Sequence, residues 1–182
     1  MMNPISITKL VADIVRQASS FLEIEVQGKI VTCPHVNYIF GDAGYVKDML
    51  DDYSKDAGHD KFPLVALFTP VNEQRGVPGC AYKVRVNMLI ACSTTKDYSN
   101  EEREEMSFEK ILRPIYRSIM YVIGNHGQIE VNYDGSIPHD YSENYSYGRY
   151  GAYTGNGEEV SEPIDAINIR SLEFKVKHTS CR

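Results

Sequence analysis

The sequence predicts an α/β domain of the α+β type, in which two or three helices pack on a mostly antiparallel sheet of about five strands. Apolar residues recur at helical spacing over 7–18 and again over 108–123, so each of these segments has one apolar face. Apolar and polar residues alternate over 83–93, and 62–69 is a short unbroken apolar run, which is typical of strands. Both kinds of element have an apolar face to bury, so we expect one shared core.

The first third of the chain is predicted to run helix, strand, helix. Ser6 stands in the N-cap position of the helix over 7–18. Residues 21–32 alternate like a half-buried strand that is interrupted or bulged at Gly28. A second helix is expected over about 44–57, and its acidic side lacks the turn glycine and terminal Glu of a calcium loop. We therefore interpret that side as a solvated helix face.

The segments 62–69 and 83–93 are expected to pair as antiparallel neighbours. The residues between them, 70–82, are rich in turn formers and would then form an exposed hairpin arm that carries Arg75.

The longest helix is predicted to follow Ser99, which forms a capping box with Glu102. Pro114 lies inside its apolar stripe, where a proline removes a backbone hydrogen bond and clashes with the preceding turn. We therefore expect a kink near 112–114.

Two more strands are predicted, over 129–133 and 165–177. In the last strand the apolar residues change parity partway along, from 167 and 169 to 172, 174 and 176. A one-residue bulge at Arg170 or Ser171 would account for this change, because it moves the following side chains to the other face.

Composition narrows the class of protein. A chain of 182 residues fits a single domain over 1–182. Nineteen Lys and Arg against 25 Asp and Glu give a net charge of -6, which argues against nucleic-acid binding as the main activity. The most basic stretch, 170–182, is interpreted as a solvated strand face. The four cysteines have no CxxC spacing, and neither a secretory signal nor a membrane-spanning run is apparent, so we expect free thiols in a reducing cytoplasm.

The segment 134–163 differs from the rest because it has no evident helical or strand periodicity. Six of the 13 tyrosines fall between Tyr133 and Tyr153, among Gly, Ser and Asn. Tyrosine supplies rigid contact area, and the small residues supply adaptable backbone, as in recognition loops. We predict that this loop and the arm contact other protein chains. The candidate interface residues are Arg75, Tyr141, Tyr145, Tyr147, Arg149, Tyr150 and Tyr153.

No catalytic residue, cofactor site or metal site is predicted. His126, His139 and His178 could be combined with nearby carboxylates, but they lack the spacing of a metal motif. Cys33 and His35 resemble a nucleophilic pair, although no third orienting group is identifiable and a packed turn is the preferred interpretation. Base stacking by the tyrosines is disfavoured because the loop is acidic, whereas carbohydrate binding remains open.

The order of elements resembles that of tail-terminator and head-to-tail joining (neck) proteins of tailed bacteriophages. The resemblance lies in the N-terminal helix, the strand FPLVALF, the long hairpin, the strand VRVNMLIACSTTKDYS, the helix NEEREEMSFEKILRPIYRSIM and the final strand IDAINIRSLEFKVK. It implies a small subunit that closes into a ring, commonly of six or twelve copies, in the neck or at the tail end of a virion.

This resemblance implies a virion structural protein made in the host cytoplasm, without enzymatic activity. Its expected partners are copies of itself and other neck or tail proteins, with DNA only as passing cargo and no membrane contact. The net negative charge fits such a passage, because like charges repel. The alternatives are an intracellular adaptor that uses the tyrosine-rich loop, and, third, a hydrolase.

Overall fold

A computed structural model describes residues 5–55, 61–76, 81–147 and 163–177 of the chain, and these residues form an α+β fold, as predicted. The helices are α1 (Ile7–Ser19), α2 (Ala43–Lys55), α3 (Asn100–Arg103), a π-helix (Glu104–Leu112) and α4 (Arg113–Asn125). The strands are β1 (Glu23–Val26), β2 (Lys29–Thr32), β3 (Asn37–Gly41), β4 (Leu64–Gln74), β5 (Ala81–Ser93), β6 (Ile129–Glu130), β7 (Asp140–Tyr147) and β8 (Ile164–Lys177). Since α3, the π-helix and α4 are continuous in sequence, we call them together the long helix.

The main sheet of the described chain has six strands, one more than expected. Its order is β3-β4-β5-β8, and both β7 and β6 pair with the far side of β8. Every pairing is antiparallel except β3 with β4, which is parallel. The expected antiparallel pairing of β4 with β5 is confirmed.

Helices cover the two faces of this sheet unequally. On one face, α1 and the long helix bury the apolar side chains of β4, β5 and β8 in the larger core cluster. On the other face, α2 places Val46 and Leu50 over a smaller cluster that includes Leu64, Leu89 and Ala166. The larger cluster therefore lies between the sheet and the helices α1 and α4.

The segment predicted as one interrupted strand is a separate hairpin, β1–β2. Gln27 and Gly28 both have positive φ, +50° and +76°, and they join strands whose last pair is Val26 with Lys29. Two left-handed residues give a two-residue turn whose twist matches the flanking strands. The predicted interruption at Gly28 is therefore present, but the glycine reverses the chain between two strands, and the prediction of a single strand was wrong.

Strand β3 was not predicted. It enters the sheet beside β4, and α2 forms the crossover that a parallel pair requires. Gly41 is the last residue of the strand, and the Tyr45 ring lies against its backbone. A Cβ at position 41 would overlap Tyr45 Cδ1, so the site requires glycine if the ring keeps its place.

The long helix begins with the predicted capping box, in which Ser99 Oγ accepts from the Glu102 amide and Glu102 accepts from the Ser99 amide. Pro114 lies in the first turn of α4, after nine residues of π-helix. The Arg113 amide donates to the carbonyl of Phe108, five residues back. A wide turn of this kind makes room for the proline ring. The helix therefore accommodates Pro114 by changing from π-helix to α-helix at the position where a kink was expected. Ser6, by contrast, makes no side-chain cap bond.

The predicted bulge in the final strand is confirmed. Arg170 and Ser171 of β8 lie opposite the single residue Asn87, between the pairs Met88–Ile169 and Val86–Leu172. Ser171 has φ +53°, and its amide donates to Asn87 Oδ1 at 2.9 Å. The bulge keeps both halves of β8 facing the larger core cluster.

The predicted hairpin arm and the predicted irregular loop both contain strand residues. Within the arm 70–82, residues 72–74 pair with 83–85, and β5 is held on its other side by β8. Within 134–163, residues 140–147 form β7, and 148–162 lie outside the described residues. The expectation of an irregular loop is therefore wrong for 140–147, where bulky and small side chains in fact alternate.

Candidate interaction surfaces

Strand β7 is fastened to the long helix by one face of alternating residues. The Tyr145 ring packs against Phe108 with centroids 4.6 Å apart, and the Tyr141 ring packs against Tyr116 at 4.9 Å. Between them, Arg113 binds Glu143 through two hydrogen bonds, Nε to Oε1 at 2.8 Å and a terminal nitrogen to Oε2 at 2.9 Å.

Charge supports this contact. The hydrogen bond from Tyr145 and the nearby Arg113 guanidinium lower the pKa of Glu104, and Arg113 similarly lowers the pKa of Glu143. Burial and the hydrogen bond to Glu104 raise the pKa of Tyr145 to about 12. At neutral pH both carboxylates are therefore ionised and the phenol is neutral.

The predicted interface tyrosines are thus only partly available to another chain. Tyr141 and Tyr145 remain about two-fifths exposed, while Tyr147 packs against the smaller core cluster. Arg149, Tyr150 and Tyr153 lie outside the described residues. In the arm, Arg75 is exposed, donates to Glu73 Oε2 at 2.7 Å and lies 5.5 Å from the centroid of the Tyr82 ring.

A buried polar group lies beneath the end of β7. Asp165 is fully buried and accepts from the Ser146 amide at 3.1 Å, and Arg103 donates to Ser146 Oγ at 2.6 Å. The Arg103 Nε and Asp165 Oδ2 atoms are 3.9 Å apart. The two hydrogen bonds hold Ser146, which has φ +59°, at the register shift within β7 between Asn144 and Tyr147.

A groove of about 550 Å³ opens beside this group, between α2 and β7. Val46, Leu50 and Phe68 supply apolar walls, and Lys47 and Asp51 carry opposite charges at its rim. The lining is therefore mixed, because the residues of β7 that complete it, Asn144 to Tyr147, are polar or aromatic.

The residues considered for catalysis are not brought together. His126 lies 3.3 Å from Asp13, whereas His139 contacts Tyr116 and the carbonyl of Ile137. Cys33 donates to the carbonyl of Ser20 rather than to His35. Within the described ranges, no three His, Cys, Asp or Glu side chains lie close enough to hold a metal ion. His178 falls outside those ranges.

Three basic residues of the open sheet face are engaged with carboxylates. Lys83 and Arg85 both bind Glu173, at 2.7 and 2.9 Å, and Lys175 binds Glu130 at 3.2 Å. This pairing is consistent with the interpretation of the C-terminal stretch as a solvated strand face.

Sequence reasoning missed four exposed aromatic side chains. Phe40 on β3 is 51% exposed and its ring centroid lies 6.3 Å from that of Tyr38, and Tyr45 on α2 is 47% exposed. Phe21 and Tyr121, also more than half exposed, meet edge to face with centroids 5.8 Å apart. The alternation in NYIFG is a signal for β3, but nothing in the sequence shows that Phe40 extends past the helices.

Comparison of the sequence with models of known protein families and with curated proteins finds no match. Among the described residues, no helix has the length and apolar character needed to cross a membrane.

Proposed function

We propose that this chain is a structural subunit of a tailed-phage virion that closes into a ring at the head-to-tail junction or the tail end. The order of elements that resembles tail-terminator and neck proteins supports the proposal. In this reading the chain has no enzymatic role, and its partners are copies of itself and neighbouring neck or tail proteins.

The observation that carries the proposal is the exposure of aromatic side chains at opposite edges of one sheet. Phe40 lies on β3 at one edge, and Tyr141 and Tyr145 lie on β7 at the other. A contact between two different patches, repeated by rotation, closes into a ring, whereas one self-complementary patch gives a twofold dimer. Two unlike aromatic edges favour the first arrangement.

Charge supports a passive role towards DNA. The net charge is -6, and the cations on the open face of β5 and β8 already contact Glu173 and Glu130. A ring of such subunits would carry a net negative charge, which opposes condensation onto phosphates. We therefore expect DNA to pass without specific binding.

The direct test is native mass spectrometry of the purified chain over a range of concentrations, together with negative-stain imaging. Closed assemblies with one fixed copy number are expected. A stable monomer at all concentrations would contradict the proposal and favour the adaptor alternative. Immunogold labelling of particles should then place the chain at the neck or tail. Strong, salt-sensitive DNA binding by the purified chain would contradict the proposal that DNA passes through the ring without specific binding.

A further inference from the structure

We propose that the ring is built by strand addition, with β3 of one copy pairing antiparallel with β7 of the next. This inference rests on the proposed function and names the contact that would close the ring. It follows from the register of the sheet, the direction of its edge strands and the side chains at both ends.

One cross-strand row spans the sheet from edge to edge. The partners run Phe40 with Leu67, Leu67 with Met88, Met88 with Ile169 and Ile169 with Tyr141. The three inner side chains are no more than 2% exposed, whereas Phe40 is 51% and Tyr141 40% exposed. The apolar row is thus buried in the middle and ends in a half-exposed aromatic ring on each side.

The strand directions suit such a contact. β4 runs parallel to β3, and each step from β4 through β5 and β8 to β7 reverses direction, so β3 and β7 run in opposite senses. If neighbouring copies are related by rotation about an axis along the strands, β7 of one copy meets β3 of the next as an antiparallel pair. Phe40 then lies beside Tyr141 at about one strand spacing, roughly 5 Å, and each ring covers the other.

The edge of β3 has the groups needed to accept a strand. The Asn37 amide bonds to the carbonyl of Pro63, so the alternate residues Tyr38 and Phe40 direct their backbone groups to the outer side. Among the described residues, no strand pairs with that side. Monomeric proteins usually guard a sheet edge with a charge, a proline or a bulge, and Asn37–Gly41 contains none of these.

A proline at position 40 separates this contact from the fold. Phe40→Pro removes an outward amide and leaves the β3–β4 ladder intact, whereas the control Phe40→Ala shortens the side chain and keeps the amide. We expect Phe40→Pro to raise the concentration of half-assembly by about tenfold or more relative to Phe40→Ala, from the loss of at least one hydrogen bond per contact. Both variants are to be checked for folding by circular dichroism.

A cross-link tests the register independently, in case Phe40→Pro does not fold. A second cross-strand row runs next to the first and has Ile39 at one end and Ser142 at the other. Within one subunit these two residues are four strand spacings, or roughly 19 Å, apart, which is too far for a disulfide. Between neighbours they would be adjacent. With Cys33, Cys80 and Cys181 changed to Ser, Ile39→Cys with Ser142→Cys should give a ladder of oxidised oligomers. Each single variant should stay uncross-linked, because its one added thiol faces no other added thiol in the neighbouring copy.

The outcomes distinguish the inference from the proposed function. If Phe40→Pro still forms rings, or if the double-cysteine variant forms rings but gives no ladder, the strand addition is wrong and the proposed ring subunit stands. A wild-type dimer would indicate that β3 pairs with its own copy and would overturn both. A wild-type monomer contradicts the ring itself.

Discussion

Replacing Arg113 with Met should release strand β7 from the long helix. Arg113 makes two hydrogen bonds to Glu143 and contacts Glu104 at 2.6 Å, with its side chain 25% exposed and that of Glu143 19% exposed. Hydrogen bonds to charged groups contribute about 1.5–3 kcal/mol when buried, and exposed ion pairs about 0–1 kcal/mol. For this half-buried pair we expect a loss of about 2 kcal/mol at pH 7, or roughly 4–8 °C in Tm for a chain of this size. Arg117→Met, which removes an exposed charge from the same helix, is the control and should cost under about 0.5 kcal/mol.

The loss should depend on pH with a definite sign. Arg113 holds the pKa of Glu143 below its ordinary value near 4.5, so the stabilisation is complete above that value and disappears as the pH falls through the lowered pKa. The difference in Tm between wild type and Arg113→Met should therefore be constant near neutral pH and shrink once the pH falls below about 4.5. Hydrogen exchange should also become faster in 140–147 than in the rest of the sheet. If Arg113→Met costs no more than Arg117→Met, the ion pair does not hold β7, and the reasoning fails.

Three further predictions concern single sites. Ser99→Ala should lower the free energy of unfolding by about 1 kcal/mol, because it removes the capping box. Ser6→Ala should lower it by only about a few tenths of a kcal/mol, since Ser6 makes no side-chain cap bond. Chemical denaturation of both variants measures this difference. Gly41→Ala should cost about 1–3 kcal/mol in the same assay, because the new methyl group overlaps the Tyr45 ring, and an unchanged midpoint would mean that the ring moves away at no cost. Burial raises the pKa of Cys92, so its thiol should resist alkylation in the folded protein and react only after unfolding, as peptide mass spectrometry can show.

Long periodic segments could be predicted from the sequence because burial alone determines their pattern. The helix over 7–18 needs one apolar face, and the parity change in the last strand requires a bulge wherever both halves face one core. The capping box is similarly local, since Ser99 and Glu102 satisfy each other within four residues. None of these features depends on which distant segments are neighbours.

The features that the sequence did not reveal depend on such neighbours. Strand β7 resembles a recognition loop in composition, and its tyrosines become packing residues only because β8 brings them against Phe108 and Tyr116. Strand β3 is short, so its pattern is weak. Nothing in the sequence around Phe40 indicates that the helices leave this side chain uncovered. The sequence placed the candidate interface on the tyrosine-rich loop and the hairpin arm, whereas the exposed aromatic side chains lie at the two edges of the sheet.

The position of β8 in the chain bears on how the protein is made. This strand pairs with β5, β6 and β7, all of which precede it in sequence. While the chain is still being translated, β5 can pair with β4 on one side, but its other side has no partner until residues 164–177 have left the ribosome. The nascent chain must keep an apolar strand edge exposed from the completion of β5 to that of β8, which is nearly half of its synthesis, so a chaperone or rapid release would limit aggregation during this interval.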